Sequence, residues 1–307
     1  MMSKRPLAAD LHLHSTFSDG DLVPAELLRF YRERAYLGIA LTDHDSVAGV
    51  LPLLEEARQT AGAPVVVPGL ELTLCIVHPS FTGSLHLLLY FRPELLAYPR
   101  FQADLAELFE SGRGVSLLRR RIAALNAHLP GGMEPLTEED FDTDRQRVTR
   151  RTLLKALMGK GLTEPAGRSL LANDSPAYIP SGAPLENARR VLDRYGFLKV
   201  LAHPAAGSNP ADTPYREVYP PFATLRRIAR EIHGEIALDG LELRHPGHTP
   251  ELSRGVRRFA RSLSLDLFSG GSDCHDWQLR PPGAEGLDRR QWEHFAARLA
   301  GLTAHPA

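Results

Sequence analysis

The sequence predicts an α/β barrel interrupted by a helical insertion, on three observations. Strand-like and helix-like segments alternate through about the first ninety residues, and the alternation resumes after residue 194. Between residues 99 and 194 nearly every segment is helix-like. Nearly every candidate strand also ends in a polar or titratable side chain, as in α/β barrels whose sites are built at the C-terminal ends of their strands. The barrel is therefore assigned to residues 1–98 and 195–307, with residues 99–194 as the insertion.

Each element follows from local pattern. "LAADLHLH" is a short strand, and "PAELLRFYRERAY" is an amphipathic helix with proline at its start. "LGIALTDHD" is a buried strand ending in charge, and "SVAGVLPLLEEARQT" is a helix for which Ser46 is the expected cap. "PVVVPGLELTL" and "SLHLLLYF" are β-rich, and this order argues for parallel strands with crossover helices. In the insertion, "FQADLAELFESGRGVSLLRRRIAALNAHL", "RVTRRTLLKALMGKGL" and "LENARRVLDRYG" are expected as helices. "FLKVLAHP", "LDGLELRHP" and "SLDLFSGGSDCH" then alternate as strands with the helices "PPFATLRRIAREIHG" and "TPELSRGVRRFARSL". "LDRRQWEHFAARLAGL" is the last helix.

Bulk properties narrow the function classes. With 307 residues, 43% hydrophobic and 24% charged, the chain has the composition of a soluble globular enzyme. Its 36 basic and 37 acidic side chains nearly cancel, which argues against avid binding to long nucleic acid or an anionic membrane. Two cysteines, outside any CxxC arrangement, point away from a disulfide framework and toward a reducing cytoplasm. The start has no signal-peptide pattern, and no window approaches the roughly 20 apolar residues of a membrane span. Nothing in the sequence sets an oligomeric state.

The chemistry-bearing residues recur at matching places. In "DLHLH", strand alternation points His12 and His14 to one face, as shared metal ligation requires. "LTDHDS" adds Asp43, His44 and Asp45, of which Asp45 reads as a polar turn residue. "PGLEL" sets Glu71 inside an apolar strand, where a bare carboxylate is costly and needs a metal or a dense set of hydrogen bonds. "SLHLLLY" raises the same question for His86, although a histidine between leucines is by itself more often a core residue. "LAHPAAG", "GLELRHP" and "GGSDCH" add His203, Glu242, Asp273 and His275, with Gly270 and Gly271 expected to permit a tight turn.

"DLHLHSTFSDGDLVPAELL", "GIALTDHDSVAG", "PGLELT", "HLLLYF", "VLAHPAA" and "GGSDCH" resemble, in order and over most of the chain, the motifs of the PHP (polymerase and histidinol phosphatase) family of metal-dependent phosphoesterases. "RVTRRTLLKALMGKGL", "SPAYIP" and "GLELRHPGHTPE" resemble its subgroup of nucleoside 3',5'-bisphosphate phosphatases and short-RNA 5'-to-3' exoribonucleases. The resemblance implies a distorted (β/α)7 barrel and a trinuclear centre. His12, His14, Glu71 and Asp273 would surround one metal. Glu71 would bridge to a second, completed by His86 and His203. Asp19, His44 and His275 would hold the third. Imidazole and carboxylate ligation suits two or three ions of Mn, Zn or Fe.

What the resemblance implies about reaction is hydrolysis of phosphate esters by a metal-activated hydroxide, with Asp19, His203 and Asp273 as catalytic residues. The expected substrates are small phosphorylated nucleotides or short 5'-phosphorylated RNA. A second phosphate would need further donors, for which Arg150, Arg151 and His248 are the candidates and His245 a possible addition. The family often has Arg-Pro-His where this chain has Arg150-Arg151-Thr152, a departure in the substrate grip. Histidinol-phosphate phosphatase is the alternative enzyme, and a metal-dependent nucleic-acid binding module is the alternative without turnover. The complete ligand set and neutral charge disfavour the latter.

Overall fold

The structure, a computed structural model, describes residues 6–141, 150–172, 174–211 and 219–303. It falls into two compact units: residues 1–72, 86–103 and 189–307 form the first, and residues 73–85 and 104–188 form the second. The expected insertion, residues 99–194, thus differs at its edges, because the outer part of a β-hairpin belongs to the second unit.

Seven strands make the first unit a nearly closed barrel in the order β1 (Ala9–Leu13), β2 (Gly38–Leu41), β3 (Val65–His78), β4 (Phe81–Phe91), β6 (Phe197–Leu201), β7 (Gly240–Arg244) and β8 (Leu267–Gly270). β1, β2 and β3 pair in parallel, as do β6, β7 and β8. The expectation of parallel strands throughout fails at β4, which pairs antiparallel with β6. Only two residues separate β3 from β4, too few for a crossover helix, so the chain must turn back on itself. The ring closes where Leu13 bridges Cys274 and the His14 N–H donates to the Cys274 carbonyl at 3.0 Å.

Helices α1 (Pro24–Glu33) and α2 (Val50–Gln59) follow β1 and β2, and α1 has proline in its first turn as expected. Ser46 does not cap α2. Its hydroxyl accepts from Ala48 N–H in the preceding turn, and the helix starts only after Gly49. α8 (Phe222–Ile236) and α9 (Pro250–Ser262) link the later strands, and α10 (Arg289–Ala300) ends the fold. Thr249 caps α9 through Leu252 N–H, while Asp288 and Gln291 cap α10 reciprocally.

The barrel is packed solid below the site. Leu11, Ala40, Val67, Leu88, Tyr90, Val200 and Leu267, from six strands, join Trp292 and Phe295 of α10 in one buried cluster. The Trp292 ring lies where a Cβ on Gly38 would fall, at the entry to β2, so α10 seals the N-terminal end of the barrel. Gly270 and Gly271 do not act by a positive φ. Gly271 is needed for space, since a Cβ there would fall 2.4 Å from His12 N and Cβ.

In the second unit, the long helix expected after residue 99 is broken at Gly112–Arg113 into α3 (Pro99–Ser111) and α4 (Gly114–Asn126), with Gly114 at φ +55°. α5 (Arg150–Gly159), α6 (Glu164–Leu170) and α7 (Leu185–Leu192) follow. α7 straddles the division at residue 188, as α3 does at residue 103. Leu118, Leu125, Phe141, Leu153, Leu157 and Leu171 form this unit's own core. β5 (Ala183–Pro184) pairs with the outer part of β3. Among the described residues no helix is long and apolar enough to cross a membrane. Both cysteines are free thiols. Phe295 is fully buried, so Phe295→Ala is expected to destabilise the protein by about 3–5 kcal/mol, read by denaturant unfolding.

Candidate metal centre

The strand ends that close the barrel mouth carry the candidate ligands. His12 lies in β1 and His14 one residue beyond it. The loop after His14 is pinned by Asp43, whose carboxylate accepts from Ser15 N–H at 2.7 Å, Ser15 Oγ at 2.8 Å and Ser18 Oγ at 2.6 Å. That fold of the loop brings Asp19 back over the mouth. His44 follows β2 and bridges Glu71 of β3 in parallel register. Because β4 runs backwards, His86 enters the mouth at the start of its barrel portion rather than at a strand end. His203 and Asp273, at φ +29° and +50°, are held in the left-handed region, which for a non-glycine residue is sparsely populated and strained.

Glu71 is the hub. Its Oε2 lies 3.0 Å from both His12 Nε2 and His14 Nε2, and 3.5 Å from His44 Nδ1. Its Oε1 lies 3.0 Å from both His86 Nδ1 and His203 Nε2. Asp273 Oδ1 sits 3.4 Å from His12 Nε2, 3.2 Å from His14 Nε2 and 3.6 Å from His275 Nδ1. Asp19 reaches His14 at 3.6 Å and His275 at 3.3 Å. All nine expected ligands therefore meet in one place. Three overlapping groups could hold ions: His12, His14, Glu71 and Asp273; His44, Glu71 and His86; and His14, Asp19, His44 and His275. The first coincides with the group implied by the resemblance. The third adds His14, and the second contains His44, with His203 on the same Glu71 oxygen as His86.

The donor chemistry fits divalent cations. His14 Nδ1 and Nε2, His44 Nδ1 and His275 Nε2 are buried with no aligned hydrogen-bond partner, although carboxylate oxygens lie close to them. Such nitrogens are costly unless something accepts their lone pairs. Burial pulls the His14 imidazole down, but Asp273 and Glu71 outweigh it and push its pKa up to about 9. Burial likewise opposes charge on His12, and Glu71, Glu242 and Asp273 override it, raising the pKa well above the usual value. His44, by contrast, is driven down to about 3 by burial, against the pull of Glu71. Two protons on His12 and His14 thus stand where cations would balance the same carboxylates.

Several residues in the site went unassigned in the sequence. Glu242, noted only as a polar strand end, is fully buried. Its Oε1 accepts from His12 Nδ1–H at 2.9 Å, and its Oε2 accepts from His203 N–H at 2.7 Å. That contact fixes the His12 tautomer with Nε2 facing the cluster. Tyr219, which no motif signals, packs beside His203 with tilted rings, centroids 4.4 Å apart, and sets its hydroxyl 3.2 Å from His86 Nδ1. His245, named in the sequence as an additional phosphate donor, sets its Nε2 3.3 Å from Asp273 Oδ2.

The substrate candidates fare differently. His248 Nε2 accepts from Ala205 N–H at 3.1 Å, and its Nδ1 lies 3.3 Å from the Leu243 carbonyl. Burial drives its pKa down to about 4. A neutral ring in these contacts carries no charge to a phosphate. Arg150 and Arg151 open α5, but their side chains lie outside the described residues.

A cavity of about 660 Å³ lies over the cluster, lined by Asp19, His44, His86, His203, Tyr219 and Arg280 among others. A larger one, about 1140 Å³, is lined by Arg244, Arg257, Asp266 and Arg290 and includes none of the nine ligands. The chemistry points to the smaller cavity.

Two outcomes are expected. Replacing Glu242 with Gln sets an amide against His203 N–H or His12 Nδ1–H, and should weaken Mn²⁺ affinity about 10- to 100-fold, measured by competition with a chelating dye. Because a metal must displace the His14 proton, whose pKa lies at about 9, Mn²⁺ affinity should rise with pH from 7 toward 9. Calorimetry in buffers of different ionisation enthalpy would register the released protons.

Comparison with known proteins agrees with this geometry. Residues 10–111 match the PHP domain family. The 5'-3' exoribonuclease Rnm of Salmonella typhimurium is 30% identical over 202 residues, covering 64% of this chain and 64% of that protein. The Escherichia coli protein of the same name is 28% identical, covering 87% of this chain and 84% of its own length. A crystal structure from Bifidobacterium adolescentis, 23% identical, has the same fold with a TM-score of 0.59 over 96% of this chain and 98% of that one. By the motifs of its barrel mouth and by these likenesses, the chain is similar to PHP domain proteins over residues 10–111 and to the Escherichia coli Rnm exoribonuclease over most of its length.

Proposed function

We propose that the protein is a metal-dependent phosphoesterase acting on nucleoside 3',5'-bisphosphates, short 5'-phosphorylated oligoribonucleotides, or both. The observation that carries this reading is the set of three overlapping ligand groups around Glu71 at the floor of one open cavity. The exoribonuclease names of the relatives supply the nucleotide class. The near-zero net charge of the chain suits a short substrate better than a long duplex.

In this reading His12, His14, Glu71 and Asp273 hold one ion, His86 and His203 complete a second with Glu71, and Asp19, His44 and His275 hold a third. Bound divalent ions would stabilise charge on the phosphoryl oxygens and supply hydroxide near neutral pH. The remaining work falls to the chain. Burial opposes charge on Asp19, but His275, His44 and His14 outweigh it and hold the carboxyl well below its usual range. It therefore stays ionised at the cavity edge, where its oxygens can ligate an ion or hold the attacking water by a hydrogen bond. His203 is kept low by burial, and its ring is fixed by Glu71 and by Tyr219. Asp273 orients His12 and His14 toward a common point. The helical unit is assigned a part in substrate binding, through Arg150 and Arg151.

With Mn²⁺, the purified protein should release phosphate from 3',5'-bisphosphoadenosine or shorten 5'-phosphorylated RNA, and turn over histidinol phosphate more slowly. EDTA should abolish turnover and Mn²⁺ restore it. Retained metal with no turnover of any phosphoester would overturn the proposal. Asp273→Asn should lose metal and activity together; full activity in that variant would refute the assigned centre.

A further inference from the structure

The segment after His275 folds into a tight loop. His275 N–H and Asp276 N–H both donate to the Arg280 carbonyl, at 3.0 and 3.3 Å. Asp276 Oδ1 accepts from Gln278 and Leu279 N–H at 2.6 Å each. These bonds fix where the chain turns and set Arg280 against the cavity, with its side chain 37% exposed. Of the described residues lining that cavity, Arg280 is the one arginine or lysine. Its Nη1 lies 3.7 Å from Asp273 Oδ2, too far for a hydrogen bond. A guanidinium has five donors in a planar fork, so most of them remain available to a second anion. Asp273 meanwhile directs its other oxygen, Oδ1, at His12 and His14.

We propose that Arg280 is the phosphate-gripping residue of this cavity, binding non-bridging oxygens of the substrate phosphate beside the centre built on Glu71 and Asp273. This rests on the phosphoesterase reading above. An anion approaching a cavity walled by Asp19, Glu71 and Asp273 meets repulsion that a partly hydrated, half-exposed guanidinium offsets, and phosphate matches its fork with two parallel hydrogen bonds. The competing role for Arg280 is neutralisation of Asp273, which would make it part of the support for the ligand set.

Inorganic phosphate serves as the probe, titrated calorimetrically into the Mn²⁺-loaded full chain. Arg280→Met should weaken phosphate binding roughly 10- to 100-fold, as expected for loss of hydrogen bonds to a charged group. Arg280→Lys should recover only part of that loss, since an ammonium cannot make the paired contact. Mn²⁺ affinity, from chelator competition, should stay within about twofold in both variants. Unchanged phosphate affinity in a folded, metal-loaded Arg280→Met protein would overturn the inference. So would Mn²⁺ and phosphate affinity falling together in both variants, which would place Arg280 in support of Asp273. A wild-type protein that binds phosphate through Arg280 yet hydrolyses no phosphoester would uphold this inference and refute the phosphoesterase reading.

Discussion

Glu71 carries a full carboxylate with 1% of its surface exposed and five imidazole nitrogens within 3.5 Å. A group so buried cannot be left uncompensated, because desolvation of an ion costs several kcal/mol even after the protein relaxes. The surrounding architecture answers that demand. Parallel register between β2 and β3 brings His44 level with Glu71, and the backward course of β4 delivers His86 from the opposite direction. The loop pinned by Asp43 carries Asp19 over the top. Without the Glu71 charge, the histidines around it would form a mutually unfavourable cluster of desolvated rings.

Much of this is legible in the sequence alone. The HxH spacing of His12 and His14, the lone Glu71 in an apolar strand and the polar strand ends all carried signals tied to strand periodicity. What remained hidden depended on contacts between segments far apart in sequence. Glu242 looks like any polar strand end until His12, 230 positions away, is set 2.9 Å from it. Tyr219 and Arg280 sit in loops with no periodic pattern, where only the folded chain shows what they face. The reversal of β4 was concealed because an apolar run gives no direction. His248 is marked by its motif, but only the fold shows that its nitrogens face backbone groups.

The barrel separates its tasks along its axis. Trp292 and Phe295 pack the N-terminal end with aromatic volume, and among the described residues that end holds no titratable cluster of the kind found above it. At the mouth, the same strands terminate in carboxylates and imidazoles whose left-handed or crowded geometry is strained. The packed lower layer supplies the stability that lets His203 and Asp273 persist in unfavourable backbone conformations. Stability and reactivity therefore draw on different residues of the same strands.

The closure of β1 against the segment after β8, through His14 and Cys274, has a consequence for how the chain is made. Synthesis proceeds from the N-terminus, and six of the nine candidate ligands have emerged by residue 86. Asp273 and His275 arrive almost two hundred residues later. Until then the nascent chain lacks two of the nine candidate ligands and the segment that closes the ring on β1. Assembly of the centre is thereby a late event in the life of each molecule, and it reports that the whole fold has been reached.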